Sequence, residues 1–332
     1  MGGDHGPAIV APAALEALRR YPELHLILVG DEGEMRSALE SAAPPLAERF
    51  TLRHTTQKVE MHEKPSSALR LKRESSMRIA LDLVKDGSAA ACVSAGNTGA
   101  LMAMARFVLK TLPGIDRPAI CATLPGVSRG TRVLDLGANV DSSSEELFRF
   151  AVMGSVLASA IDGIAKPAVA LLNIGEEEMK GNDRVKQTAL LLEKSPLNYR
   201  GFAEGNDIFV GAFDVIVCDG FVGNVALKAS EGVASMLLAL AKQEFERSPW
   251  RRVTALLAAP ALRSLRNRAD PRRYNGASFV GLRGIVIKSH GGADSTSFLR
   301  AIDEAVLQVA QNVPERISSM VEQLLVHQQV EG

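Results

Sequence analysis

At 332 residues, 46% hydrophobic and 23% charged, the chain can bury a large core, which excludes a disordered or low-complexity protein. Lys and Arg number 38, as do Asp and Glu, and this neutrality speaks against a partner held by charge alone, nucleic acid above all. Three scattered cysteines without metal-type spacing, and no apolar run approaching 18 residues, speak against a disulfide framework, a zinc site and a transmembrane span.

In chain order, apolar runs at 24–29, 89–93, 119–124, 132–136, 168–174, 215–218 and 284–288 read as strands. Most are apolar at nearly every position instead of alternate ones, the pattern of parallel strands covered on both faces. Longer amphipathic segments at 67–85, 98–110, 143–161 and 295–312 read as helices. Segment 143–161 opens on Ser143-x-x-Glu146, a capping box, and 295–312 sets Phe298, Ile302, Val306 and Val309 on one stripe. This alternation predicts one α/β domain over 1–332, a doubly wound three-layer α/β/α sandwich with a mostly parallel sheet.

Residues 231–273 depart from the alternation. Val233, Met236, Leu237, Leu240 and Ala241 form a helical stripe, and a second helical run from Ser248 is broken at Pro260. Between 242 and 273 nine basic residues face three acidic ones, an excess of six positive charges in an otherwise acidic chain. The only tryptophan, Trp250, lies in this segment.

Where several predicted strands end, glycines, amides and hydroxyls follow: 94–99, 135–141, 173–175, 219–224 and 289–292. Ligands of open α/β sheets bind beyond the carboxyl ends of strands. There glycine lets backbone N–H groups approach a ligand, and the next helix offers its positive end to an anion. One such loop is ordinary turn chemistry, but five together favour an anion or phosphate site. Lys180, in the charge run after Gly175, is either a solvated side chain or a cation reaching that site. Asn224 is either a helix-start cap or a ligand contact, and His290 a capping or packing histidine or a ligand contact.

Other signatures fail. No GxGxxG opens a strand–helix unit, no Walker lysine loop occurs, and the six histidines show no paired ligand spacing. Gly126-Val127-Ser128-Arg129-Gly130 matches GxSxG, but strand-like runs lie on both sides of it, so it reads as a connecting loop and not a nucleophile elbow.

Taken in order, Met1-Gly2-Gly3-Asp4-His5-Gly6-Pro7, the loop from Ser94 to Gly99, and the run from Asp135 to Asp141 resemble the motifs of the bacterial phosphate acyltransferase family, PlsX. So do Leu172-Asn173-Ile174-Gly175-Glu176-Glu177, the run from Cys218 to Lys228, and Ile287-Lys288-Ser289-His290-Gly291, so that the resemblance spans essentially the whole chain. It implies a cytoplasmic enzyme that converts long-chain acyl-[acyl carrier protein] and inorganic phosphate to acyl phosphate, without metal or other cofactor. It also implies a fold like that of phosphotransacetylases and isocitrate-dehydrogenase-like enzymes, and a homodimer attached peripherally to the inner face of the membrane. There a membrane glycerol-3-phosphate acyltransferase would take up the product. A lysine and an asparagine of the family's active cleft match Lys180 and Asn224, the expected catalytic pair. Asp4, Gly96, Asn97, Thr98, Gly99, Asn139 and His290 are added as phosphate or substrate contacts from their places in the motif loops. In the family a strand precedes the Met-Gly-Gly-Asp loop, whereas this chain begins there, so an unpaired sheet edge is expected.

With that implication, 231–273 is expected to form a protruding hairpin at the membrane. Trp250, Val253, Leu256 and Leu257 would enter the interface, while Arg251, Arg252, Arg263 and Arg266 face anionic headgroups. The same surface would also suit acidic acyl carrier protein or a dimer contact. Two rival functions stand beside this reading. A nicotinamide-dependent hydroxyacid dehydrogenase of the isocitrate type would need a carboxylate metal cluster and dinucleotide contacts. A non-catalytic membrane scaffold for acyl carrier protein would leave the five loops without a use.

Overall fold

A computed structural model of the chain describes residues 2–39, 44–268 and 275–330. Its first elements are α1 (Pro7–Arg20), β1 (Leu26–Gly30), α2 (Glu32–Leu39), α3 (Pro44–Ala47), β2 (Phe50–His54), α4 (Pro65–Leu71) and α5 (Ser76–Lys85). The middle of the chain forms β3 (Ala91–Ser94), α6 (Thr98–Leu109), β4 (Ala119–Leu124), β5 (Thr131–Leu134), α7 (Ser144–Asp162), β6 (Val169–Leu172) and α8 (Asp183–Glu193). Then come β7 (Tyr199–Ala203), α9 (Asp207–Val210), β8 (Val215–Val217), α10 (Gly220–Glu246) and α11 (Pro249–Arg268). Last are β9 (Ala277–Val280), β10 (Ile285–Lys288), α12 (Ser295–Ala310) and α13 (Val313–Val330).

Eight strands form one sheet in the order β3-β10-β9-β4-β5-β8-β6-β7, and β1 pairs with β2 in a separate parallel pair. As anticipated, the large sheet is mostly parallel, through the pairings β3–β10, β5–β8, β8–β6 and β6–β7. The exceptions cluster in the middle, where β9 and β4 bring three antiparallel pairings.

The layers follow from alternation along the central strands. Leu134, Val169, Leu171, Val215 and Val217 enter a core beneath α7 and α13, with Phe150, Met153, Leu157 and Val321. Val133, Ala170 and Ile216, one residue out of step, point to the opposite face and meet Leu81, Leu101 and Met104 of α5 and α6. These strands are covered on both faces, which is why β6 and β8 are apolar throughout, while β5 adds Arg132, buried and paired with Asp162 at 2.6 Å. Cys92, Cys121 and Cys218 are free and buried, and burial pushes the thiols of Cys92 and Cys121 up to about 12.

The capping box predicted for α7 is present: Glu146 N donates to Ser143 Oγ at 3.2 Å and Ser143 N to Glu146 Oε2 at 2.9 Å. Segment 67–85 divides into two helices. α4 ends at Leu71, and Ser75 starts α5 as its N-cap, accepting from Arg78 N at 3.3 Å. Three strands have no counterpart among the predicted ones. β2 and β7 lie at sheet edges with partly exposed, polar-interrupted sequences, and β9 is a four-residue strand whose Ser278 is buried against Gln308.

Candidate active site

β5, β8 and β6 are adjacent and parallel, so the loops after them open along one edge of the sheet. Asp135, just beyond β5, is fully buried and organises this edge. Its Oδ1 accepts from Ile120 N at 2.9 Å and Ala138 N at 3.0 Å, and its Oδ2 from Asn139 N at 2.6 Å and Asn139 Nδ2 at 3.0 Å. Burial pushes the carboxyl pKa up, and the four hydrogen bonds oppose that shift. Asn139 also donates to Pro118 O at 2.8 Å, so its buried amide is spent inside the loop.

α10 starts on top of this loop. Asp219 caps it, accepting from Val222 N at 2.9 Å. At Gly223 a Cβ would overlap the Asp135 carbonyl oxygen and come within 2.9 Å of Cys218 Sγ, so only glycine lets the first turn sit this close. Asn224 follows, exposed beside Gly137, and its amide makes no hydrogen bond among the described residues. It is free to donate to a bound group.

Lys180 hangs from the loop after β6. Asn173 Nδ2 donates to Gly175 O at 3.1 Å and Lys180 O at 3.3 Å, folding the loop back so that the lysine stem crosses Gly175. Lys180 Nζ meets Glu177 Oε2 at 2.6 Å, a contact that raises the lysine pKa and keeps it charged. The side chain is 42% exposed, and such a surface pair is weak enough for a substrate anion to displace.

The remaining site residues form a second group. Between β10 and β5 the sheet takes three antiparallel steps, so β3 and β10 run against β5, β8 and β6. The five loops therefore divide between two strand sets. In the second group Asp4 N donates to Gly291 O at 2.9 Å and Ser289 N to Ser94 O at 2.9 Å, tying together the loops 2–4, 94–99 and 289–292. Asn97 is buried; it accepts from Ala100 N at 3.0 Å and donates to Met61 O at 2.7 Å and Glu63 O at 3.0 Å. Its amide thus caps α6 and fastens the segment before α4. Asp4, Thr98, Gly99 and His290 are exposed and Gly96 is buried; His290 Nδ1 accepts from Gly292 N at 3.1 Å. α10 links the groups, because the charge of its Lys228 bears on Lys288 at the end of β10.

Ser128 lies in the β4–β5 connection and donates to Val210 O at 2.8 Å, as the connecting-loop reading of GxSxG anticipates.

Beyond its first three turns α10 leaves the core: residues 231–244 are all exposed. α10 and α11 pack on each other across a turn at Arg247 and Ser248. Trp250, Leu256 and Leu257 are 81%, 74% and 78% exposed, and Val253 is also exposed. Arg247 and Arg251 both pair with Glu244. The side chains of Arg252, Arg263 and Arg266, and all of 269–273, lie outside the described residues. By length and mean hydropathy, 1.2 over an 18-residue window, α10 is long and apolar enough to cross a bilayer, although no unbroken apolar run marks it in the sequence.

The mixed sheet between two helical layers, with glycine-rich loops beyond its strand ends, defines an α/β/α enzyme fold of the phosphotransacetylase kind. A phosphotransacetylase from Streptococcus pyogenes superposes with a TM-score of 0.60 at 16% identity, covering 92% of this chain and 91% of its own. The EutD phosphotransacetylase from Staphylococcus aureus gives 0.53 at 15% identity, covering 90% and 99%. Identities this low speak for the fold alone. Sequence kinship is closer. Residues 1–316 match the fatty acid synthesis protein family. The phosphate acyltransferase of Alkalilimnicola ehrlichii is 59% identical over 325 residues, 98% of this chain and 95% of the relative. That of Halorhodospira halophila is 56% identical over 326 residues, 98% and 95% of the two chains. The chain belongs to the phosphate acyltransferase family, which sets the dehydrogenase reading aside.

Proposed function

We infer that the protein transfers the acyl group of a long-chain acyl-[acyl carrier protein] to inorganic phosphate, releasing acyl phosphate and the carrier thiol. The observation that carries this reading is 59% identity to a phosphate acyltransferase along 98% of the chain. A phosphate oxygen attacks the thioester carbonyl; the C–O bond forms, the C–S bond breaks, and the proton of hydrogen phosphate ends on the sulfur. Phosphate is already an anionic nucleophile, and a thiol of pKa about 8.5 leaves with little acid help. The protein's task is then to position the reactants and stabilise the oxyanion. In this reading the free amide of Asn224 donates to the oxyanion and Lys180 neutralises phosphate charge. With EDTA present, thiol release from acyl carrier protein is expected to depend on phosphate. A folded chain that releases no thiol with phosphate overturns the reading.

We further propose that the enzyme acts as a cytoplasmic homodimer whose α10–α11 pair rests on the anionic inner face of the membrane. Exposed Trp250, Val253, Leu256 and Leu257 beside a basic segment support it. Each basic group near such a surface contributes about 1 kcal/mol before screening by salt. The product is apolar at one end and hydrolytically labile, so release beside a membrane glycerol-3-phosphate acyltransferase protects it. Leu256→Glu/Leu257→Glu is expected to abolish flotation with anionic vesicles while the dimer persists. Unchanged flotation excludes apolar insertion at these residues; loss of the dimer assigns the face to subunit contact, and loss of affinity for acyl carrier protein alone assigns it to the carrier.

A further inference from the structure

Lys288 ends a strand that is otherwise Ile-Val-Ile, and its side chain is carried inside with the strand at 7% exposure. Among the described residues it forms no ion pair. Nζ donates to the carbonyl oxygens of Ser289 and, at 3.4 Å, Ala95, which leaves one of its three N–H groups unspent. The two acceptors belong to different loops, one following β10 and the other β3. The N-terminal loop closes on the same point: Gly3, at φ +72, would bring a Cβ within 2.9 Å of Gly291 O and 3.0 Å of Ala95 Cβ.

The balance of its surroundings makes this ammonium's charge harder to keep. Burial pulls its pKa down to about 8, Lys228 of α10 acts in the same direction, and Asp4 of the N-terminal loop opposes them. Loop 94–98 carries no titratable side chain; His290 follows in the chain, and Asp294 caps α12, accepting from Ser297 N at 2.8 Å. α6 and α12 start directly from these loops, adding two positive helix ends. A buried cation lacking a counter-ion is costly unless an anion completes the site.

We propose that Lys288 receives the phosphate substrate, its unspent N–H and charge meeting the anion where the loops 2–4, 94–98 and 289–292 converge. The inference rests on the acyl-to-phosphate reading above and adds to the exposed Lys180 a buried cation that binds phosphate within it. Inorganic phosphate is a dianion above pH 8, so any proton taken up on binding goes to the lysine. In the free enzyme Lys288 is mostly charged at pH 7 and mostly neutral at pH 9. Phosphate binding restores the charge, so affinity falls by up to tenfold per pH unit above 8 while binding takes up about one proton.

The test varies phosphate at saturating acyl carrier substrate and titrates phosphate into the enzyme calorimetrically at pH 9, in two buffers of different ionisation enthalpy. Wild type is expected to show a KM for phosphate that climbs above pH 8, with close to one proton taken up. Lys288→Met is expected to raise that KM about 10- to 100-fold, the loss of a charged hydrogen bond, with little change in the KM for the acyl carrier substrate. Lys288→Arg, charged throughout, is expected to flatten the pH profile. A folded Lys288→Met with wild-type KM for phosphate, or a wild type with a flat profile and no proton uptake, overturns the inference. The wild-type measurements decide it even where a variant fails to fold. Absence of phosphate-dependent thiol release by wild type would instead overturn the acyl-transfer reading itself.

Discussion

Lys180→Ala and Asn224→Ala are each expected to lower turnover about 10²–10³-fold, the usual effect of removing one preorganised donor or charge at a reacting group. Neither loss should come through the fold. Among the described residues Lys180 is ion-paired only with Glu177, in a half-exposed pair, and Asn224 is exposed with no hydrogen-bond partner. Both variants should therefore melt as the parent does, and turnover measured beside a thermal melt separates catalysis from stability. Asn224→Asp sharpens the test, because it keeps the shape but puts an acceptor, negatively charged at neutral pH, where a donor is required. It should be no more active than the alanine variant. A Lys180→Ala enzyme within threefold of wild type, far short of the expected loss, would make that lysine a solvated charge.

What the sequence discloses of this fold depends on burial. β6 and β8 are apolar at every position, and β5 at its last two, because helices cover both faces, and they are legible for that reason. β2 and β7 mix exposed arginines with apolar residues at the edges of their sheets, and their short runs fall below any strand signal. The strand-end loops are visible as glycine- and amide-rich motifs, yet no motif encodes which way its strand runs. That direction is set by the antiparallel β9 and β4, and it divides the loops between two sets. Side-chain use is equally hidden. Asn97, Asn139 and Asn224 look alike as strand-end amides, but the first two are consumed by internal acceptors and only the third is left open. Lys288 carried one signal that was available: a lone charge closing an apolar strand, directly before Ser-His-Gly-Gly.

Asp135→Asn is expected to destabilise the protein by about 3–5 kcal/mol despite its near-identical shape, because the carboxylate is an acceptor at both oxygens. Oδ1 faces the N–H groups of Ile120 and Ala138, and Oδ2 faces the N–H and side-chain amide of Asn139. An asparagine must turn its NH₂ toward one of these pairs, setting donor against donor in a fully buried site. The melting temperature should fall by roughly 5–10 °C, as a loss of that size implies for a large domain. Asn139→Ala removes only a subset of these contacts and should cost less. Activity should fall beyond the loss of folded protein, since Gly223 brings the first turn of α10 against the Asp135 carbonyl and Asn224 follows it. An unsettled Asp135 loop displaces that turn and misaims the amide by a fraction of an ångström, enough to weaken oxyanion stabilisation. Thermal melting and turnover well below the midpoint measure the two effects separately. A variant that melts within a degree or two of wild type would mean that the four hydrogen bonds do not hold the loop.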